Sequence, residues 1–356
     1  MESRIKVGIA AFGMSGKVFH APLISHHNRF VLRRIVQRSG DDARALYPDV
    51  LLSRSTDDLV ADAEIDLVVV NVPDRFHHDL AKQCLEAGKH VVIEKPITQT
   101  IAQAEELIGL AARKQRMLTV FQSRRWDGDF MTVCKVVKSK VLGRLVEFES
   151  HYDRYRNFIQ PNTWKERSEE GAGILSNLGS HMIDQALLLF GMPGAVTGHL
   201  RIVRTGGEVD DWYDIRLHYD GLTALLRASY LVKEPGPRYF LHGTDGSFCK
   251  YGLDPQEEDL KKGIDPHSPG WGIESMEWFG TLATEKSGIT QHAKLQTLPG
   301  NYSAFYDGVA DCLQKGTQPP VEPEEAVNVI RVIDAVKQSN GERKTIELRG
   351  ARGVSR

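Results

Sequence analysis

The 356-residue chain has only four cysteines, Cys84, Cys134, Cys249 and Cys312, and none of them fall in CxxC spacing. That speaks against a disulfide framework or a thiolate zinc site and suits a reducing compartment. An excess of positive charge is missing as well: 45 Lys and Arg stand against 47 Asp and Glu, a formal net charge of −2. A small-molecule partner is therefore expected, and neither nucleic acid nor an anionic membrane. Apolar runs are short; Ala186–Phe190 is typical of the longest, against the roughly 20 residues a membrane-spanning helix needs. The start, MESRIKVGIA, enters a strand-like run without the basic and long apolar regions of a secretory signal, so a cytoplasmic protein is expected. The pairs His26-His27 and His77-His78 are adjacent in sequence, and adjacent residues do not face one ion on a helix. No metal site is expected.

What is present is an alternation of strand and helix signals over the first third. Ile5–Ala10, Phe30–Val36, Leu67–Val72, Val91–Ile93 and Leu118–Phe121 are short apolar runs, with helical patterns at His77–Ala87 and Ile101–Lys114. The unbroken LVVVNV run suits a strand buried on both faces. Strands separated by helices predict a doubly wound parallel sheet. After about Gln122 the rhythm changes. A helix at Asp129–Lys140, a strand at Arg144–Tyr152 and a long helix at Gly173–Leu189 precede strand runs near Ala195–Val203, Trp212–Tyr219, Thr223–Tyr230 and Arg238–His242. Consecutive strands without helices between them predict an open, largely antiparallel sheet in a second α/β domain. Leu253–Gly272 reads as a long loop, and helices near Tyr302–Gln314 and Glu324–Gln338 close the chain. The expected division is residues 1–122 and 123–356, with the last helix able to pack back on the first domain.

The first strand runs into Gly8-Ile9-Ala10-Ala11-Phe12-Gly13-Met14-Ser15-Gly16. Two of the three glycines of a GxGxxG dinucleotide loop are present, and Ala11 replaces the first. Gly13 would let the backbone approach a pyrophosphate, Gly16 would let helix pack on strand, and the N–H groups from Phe12 through Met14 and Ser15 to Gly16 would face the phosphate. A ligand-free glycine turn is the plain alternative. The second strand ends at Gln37-Arg38-Ser39, where an NAD site usually has Asp or Glu. A guanidinium and a hydroxyl suit a 2′-phosphate, so NADP is expected over NAD; a surface role for Arg38 is the alternative.

Lys95, in Glu94-Lys95-Pro96, follows a central parallel strand and so points into the crevice where such sheets bind ligands. Taken together, Pro73-Asp74-Arg75-Phe76-His77, AGKHVVIEKP and Gly171-Ala172-Gly173-Ile174-Leu175-Ser176-Asn177-Leu178-Gly179-Ser180-His181-Met182-Ile183-Asp184 resemble the Gfo/Idh/MocA oxidoreductase family over nearly the whole chain. Val18-Phe19-His20-Ala21-Pro22-Leu23, the stretch from Arg124 to Phe130, the stretch from Tyr251 to Glu257 and Pro299-Gly300-Asn301-Tyr302 resemble a narrower group, bacterial NADP-dependent scyllo-inositol 2-dehydrogenases. The resemblance implies an N-terminal Rossmann domain and a C-terminal α/β domain whose open sheet makes a homodimer or homotetramer. It implies polyol or sugar substrates, Lys95 bonded to the substrate hydroxyl and His181 as catalytic histidine. Pro73, His77, Glu94, Lys95, Pro96 and Gln122 would line the nicotinamide end of the cofactor.

Asn177, His181, Asp184 and Leu188 share one helical face by spacing. An imidazole has the intrinsic pKa to take the proton of a hydroxyl as hydride leaves. Asn177 stands where many family members carry an aspartate. Either it bonds a substrate hydroxyl while Lys95 and His181 move the proton, or activity is reduced or the substrate differs. Arg125 and Trp126, with Arg124 and Asp127, could clamp polyol hydroxyls or the nicotinamide ribose; a salt-bridge cluster accounts for them equally well. Tyr152 and Asp153, Trp164 in the loop before the helix, and Asp184 complete the expected substrate set. The same chemistry on another sugar or a glucoside is the second reading, and a regulator that binds the cofactor without turnover is the reading from a different class.

Overall fold

The computed structural model describes residues 3–161, 163, 166–168 and 171–348. Among these the chain forms two compact units. The first runs to Trp126 and takes in Pro255–Gly272 and Gly300–Val327; the second holds Asp127–Asp254, Ile273–Pro299 and the chain from Asn328 onward. Among the described residues no helix is long and apolar enough to cross a membrane.

The first unit is built on six parallel strands: β1 (Ile5–Ile9), β2 (Phe30–Val36), β3 (Leu51–Ser53), β4 (Leu67–Val70), β5 (His90–Ile93) and β6 (Leu118–Val120), in the order β3-β2-β1-β4-β5-β6. All four residues of β4 are fully buried, the reason its sequence is a continuous apolar run. The chain works outward from β1 to β3 and then returns to β4 on the other side of β1. That reversal is the topological switch point, and ligands of such sheets bind outside the carboxyl ends of the strands there. The connecting helices are α1 (Ala21–Ser25), α2 (Asp42–Leu46), α3 (Asp57–Ala61), α4 (His77–Glu86) and α5 (Ile101–Lys114). Helix α5 starts at a capping box between Thr100 and Gln103 and ends where Gln115 turns left-handed at φ 52°.

The second unit carries α6 (Gly128–Ser139), β7 (Leu145–His151), α7 (Ser180–Phe190), β8 (Ala195–Arg201), β9 (Trp212–Tyr219), β10 (Leu222–Ser229), β11 (Tyr239–Gly243) and β12 (Gly246–Lys250). Between its segments the chain returns to the first unit as α8 (Gln256–Lys261) and α9 (Ser303–Lys315). The remaining elements are β13 (Gly280–Lys286), β14 (Ile289–Leu295), α10 (Pro323–Glu342), which starts in the first unit, and β15 (Ile346–Glu347). The nine-stranded sheet runs β14-β13-β12-β11-β7-β10-β9-β8-β15. It is antiparallel throughout except that β10 runs parallel to β7. Strand β9 shows the logic of its core: Tyr213, Ile215 and Leu217 are fully buried while Arg216 between them is exposed. These residues pack in one cluster with Phe130 and Val133 of α6, Met182 and Ile183 of α7, and Val332 and Val336 of α10.

Two expectations change. The stretch Leu253–Gly272 contains helix α8, too short to show periodicity. It is tied down by Gln256, whose Oε1 accepts from Tyr302 N (2.7 Å) and Trp271 Nε1 (3.1 Å) while its Nε2 donates to Trp126 O (3.1 Å). The hairpin β13–β14 has no counterpart among the predicted strands. Strand β14 is exposed on both faces from Ile289 to Lys294, and Thr281–Thr284 of β13 are uniformly half-buried, so the alternation that reveals a half-buried strand is missing from both; the turn, Ser287 at φ 53° and Gly288 at φ 74°, is the local signal.

Candidate active site

The loop after β1 is held from within. Asn71, just past β4, accepts from Ala11 N at 2.9 Å and donates to Ala11 O at 2.8 Å and to Ser15 Oγ at 3.3 Å. Ala11 is not among the residues with positive φ, so its Cβ carries no left-handed strain there. A Cβ at Gly16 would stand 2.1 Å from Ala11 O, whereas one at Gly13 would meet no protein atom within 4 Å. Gly16 is therefore required by the fold; Gly13, exposed and without left-handed φ, is not. From Gly16 the chain winds as a widened i→i+5 turn to His20, with Ala21 N bonded to Gly16 O, before α1 begins. Phe12 packs edge-on against Tyr47 at 6.3 Å, and Met14 is exposed.

At the end of β2, Gln37 turns its side chain into the protein, Oε1 accepting from Ala43 N at 3.0 Å. Arg38 and Ser39 are exposed, and among the described residues Arg38 makes no hydrogen bond or ion pair. Arg54 braces the same loop through the Gln37 carbonyl and the Asp41 carboxylate.

The carboxyl ends of β4, β5 and β6 gather Pro73, His77, Glu94, Lys95, Pro96 and Gln122. His77 ties two of these ends together: Nδ1 lies 2.7 Å from Pro96 O and Nε2 2.8 Å from Val72 O. Burial lowers its pKa and outweighs the two carbonyl bonds. Burial pushes the Glu94 carboxyl up, but the hydrogen bond from His20 and the positive charge of Lys95 more than offset it, and Glu94 sits below the ordinary carboxylate value. Lys95 N donates to Glu94 Oε2 at 3.1 Å. Gln122 is buried, and its Oε1 has no hydrogen-bond partner among the described residues, a costly state for an amide oxygen unless a ligand satisfies it. Arg125 and Trp126 close the first unit. Arg125 Nη1 donates to Glu325 Oε2 at 2.8 Å, and Trp126 packs edge-on against Phe305.

In the second unit the helix bearing Asn177, His181 and Asp184 is capped by Asp210, which follows β8. Asp210 Oδ2 accepts from Leu175 N at 2.7 Å, and Gly173, at φ 87°, leaves room where a Cβ would stand 2.2 Å from Asp210 Oδ1. Leu175–Gly179 is a second widened turn, with Ser180 N bonded to Leu175 O, before the chain becomes α7. Four residues of an α-helix overshoot one turn by about 40°. The wider winding absorbs that excess, so Asn177 and His181 stand more nearly one above the other than α-helical spacing alone predicts. Such turns occur often at functional positions. His181 and Asp184 are buried and Asn177 half-buried.

Tyr152 and Asp153 face different surroundings. Tyr152 belongs to the core, with the Arg238 guanidinium 4.7 Å from its ring. Asp153 accepts from Ser229 N at 3.1 Å and lies 3.7 Å from His151 Nδ1. Trp164 lies outside the described residues.

Two family descriptions match the chain: "Oxidoreductase family, NAD-binding Rossmann fold" over residues 5–122, and "Oxidoreductase family, C-terminal alpha/beta domain" over residues 135–348. The scyllo-inositol 2-dehydrogenase (NADP(+)) IolW of Bacillus subtilis is 37% identical over 97% of this chain and 96% of its own. A solved protein from Bacteroides fragilis is 47% identical, with a TM-score of 0.90 over 97% of this chain and all of that one. An oxidoreductase from Bacillus cereus is 33% identical, with a TM-score of 0.90 over 98% of this chain and 99% of that one. The chain belongs to the Gfo/Idh/MocA oxidoreductase family. It is an oxidoreductase with a nicotinamide-dinucleotide-binding Rossmann domain.

This Gfo/Idh/MocA chain also holds parts that reading the sequence left without a role. Asn71, the polar break in LVVVNV, is the clamp on the loop after β1, and a polar residue in an otherwise apolar strand was its signal. Asp210 as helix cap and Arg238, donating to Ser150 Oγ and His151 O at 2.7 Å each, carry no local signal, because their partners are distant in sequence.

Proposed function

We propose that the chain oxidises a ring hydroxyl of a cyclitol or sugar to a ketone with NADP⁺, or runs the reverse reduction, with scyllo-inositol the first substrate to test. The observation that carries the reading is the 37% identity over 97% of the chain to the NADP⁺-dependent scyllo-inositol 2-dehydrogenase. The residues of the first unit fit the dinucleotide. Gly13 offers an open side that the fold itself does not require. The buried Gln122 oxygen is an acceptor suited to a carboxamide N–H. Arg38 is exposed where a 2′-phosphate would lie, and Gln37, turned inward, puts no carboxylate there. When bound, the dinucleotide supplies the hydride acceptor or donor. Lys95 donates to the substrate oxygen and stabilises it as the carbonyl forms. His181 takes the hydroxyl proton, and Asn177 orients a hydroxyl by its amide. Asp184, Tyr152, Asp153, Arg125, Trp126 and Trp164 are the proposed substrate contacts. The protein would work in the cytoplasm as a homodimer or homotetramer assembled through the nine-stranded sheet.

The test is NADPH formation, followed by near-ultraviolet absorbance, with scyllo-inositol and NADP⁺, and with NAD⁺ and a panel of polyols and sugars alongside. Turnover on scyllo-inositol with NADP⁺ preferred is the expected result. Turnover on another panel member alone corrects the substrate, and cofactor binding without turnover on any of them moves the reading to a regulator.

A further inference from the structure

His20 lies in the Val18–Leu23 stretch, to which the proposed reaction gives no part, yet its ring is fully buried. Nε2 lies 3.1 Å from Glu94 Oε1 and Nδ1 2.7 Å from the Tyr306 hydroxyl. The ring of Phe121 covers it at 4.5 Å. Three separate elements therefore converge: the widened turn after the glycine loop, the end of β5, and α9. A carboxylate can only accept, so Nε2 is the nitrogen that carries hydrogen toward Glu94, and in the neutral ring Nδ1 accepts from the Tyr306 O–H. Burial holds the proton on that hydroxyl, raising its pKa well above the usual tyrosine range. Glu94 is thus held by His20 on one oxygen and by Lys95 N–H on the other. Its side chain is still 15% exposed, at the end of β5, on the side of the switch point where the nicotinamide half of a dinucleotide would lie.

We propose that His20 is a positioning residue: it keeps Glu94 a charged carboxylate beside the nicotinamide ring, and that charge makes the protein favour the oxidised cofactor relative to the reduced one. The inference rests on the cofactor reading above. The oxidised ring is positive and the reduced ring neutral, so a nearby carboxylate discriminates between them by simple Coulomb attraction. Without the His20 N–H, Glu94 loses its strongest donor in a largely dry setting. It then takes up a proton or turns toward water, and in either case its field at the ring is lost.

The experiment measures Kd for NADP⁺ and for NADPH by fluorescence titration on the full chain, for the wild type, His20→Leu, His20→Gln and Glu94→Gln. The ratio of Kd(NADP⁺) to Kd(NADPH) is expected to rise about tenfold in His20→Leu and Glu94→Gln. In His20→Gln, whose amide still donates, it is expected to stay within about twofold of wild type. An unchanged ratio in Glu94→Gln overturns the proposal, as does a shift in His20→Gln as large as in His20→Leu. Should His20→Leu not fold, Glu94→Gln tests the charge and His20→Gln the donor. A wild type that binds neither cofactor overturns the cofactor reading itself, which separates that failure from failure of the His20 assignment.

Discussion

Alanine at Gly16 and alanine at Gly13 are expected to fail in different ways, although both remove a glycine from the same loop. At Gly16 a Cβ would stand 2.1 Å from the Ala11 carbonyl oxygen and 2.9 Å from Asn71 Nδ2. The nearer atom is backbone, so the helix or the loop must move by about 1.3 Å or more to reach ordinary contact. That displacement strikes both bonds between Asn71 and Ala11, each contributing about 1 kcal/mol, and adds overpacking of about 1–3 kcal/mol. Against this, alanine lowers the entropy of the unfolded chain, worth about 0.4–1 kcal/mol. The net loss is about 3 kcal/mol, or roughly 10 °C in Tm for a unit of this size. At Gly13 there is no clash and no left-handed φ, so stability is expected to stay within about 1 kcal/mol of wild type. NADP⁺ affinity should nonetheless fall about tenfold or more, because the methyl occupies the side where the pyrophosphate approaches. Thermal unfolding of the cofactor-free variants, followed by cofactor titration, reads both quantities. A Gly16→Ala protein with wild-type Tm would refute the packing argument. A Gly13→Ala protein with wild-type affinity would remove the pyrophosphate from that side of the loop.

Arg38→Ala is expected to weaken NADP⁺ binding about tenfold or more while leaving NAD⁺ unchanged, read by parallel titrations; equal effects on both would leave Arg38 a surface arginine. His181→Gln should lower kcat about 10²–10⁴-fold with Kd for NADP⁺ unaltered, and Asn177→Asp should change kcat by less than about threefold if Asn177 only orients substrate, a gain of tenfold or more pointing instead to a missing charge beside His181. Asp62, which accepts from Arg33 and Arg34, has its carboxyl held at about 2 against an ordinary 3.8: burial raises it, and the arginines with the Glu64 N–H lower it further. Because the folded value lies below the unfolded one, the stability it contributes is present above about pH 4 and lost as the pH falls toward 2. Asp62→Asn should therefore cost about 2 kcal/mol in urea unfolding at pH 7 and close to nothing at pH 2; a cost independent of pH would place the effect in packing.

Legibility in the sequence followed the range of the physics. The apolar run at Leu67–Val70 announced a strand covered on both faces, and β4 is that strand. Gly13 and Gly16 looked alike as letters of one motif, but only the packed structure separates a glycine the fold requires from one it does not. Asn177, His181 and Asp184 were placed on one face by α-helical counting, and the widened turn at Leu175–Gly179 alters that spacing in a way no local propensity encodes. Helix α8 and the β13–β14 hairpin escaped because a six-residue helix and a strand exposed on both faces leave no periodic burial to read.

Strand and helix order, the glycine loop, the lysine after β5 and the histidine helix were determined by consecutive residues, because backbone sterics and alternating burial act within a few positions. Tertiary structure alone decided the groups that hold these parts in place. Asn71 reaches Ala11 across 60 positions, and Tyr306 reaches His20 across 286. Such bonds form only where a buried polar group must find a partner from whatever element the packing brings beside it.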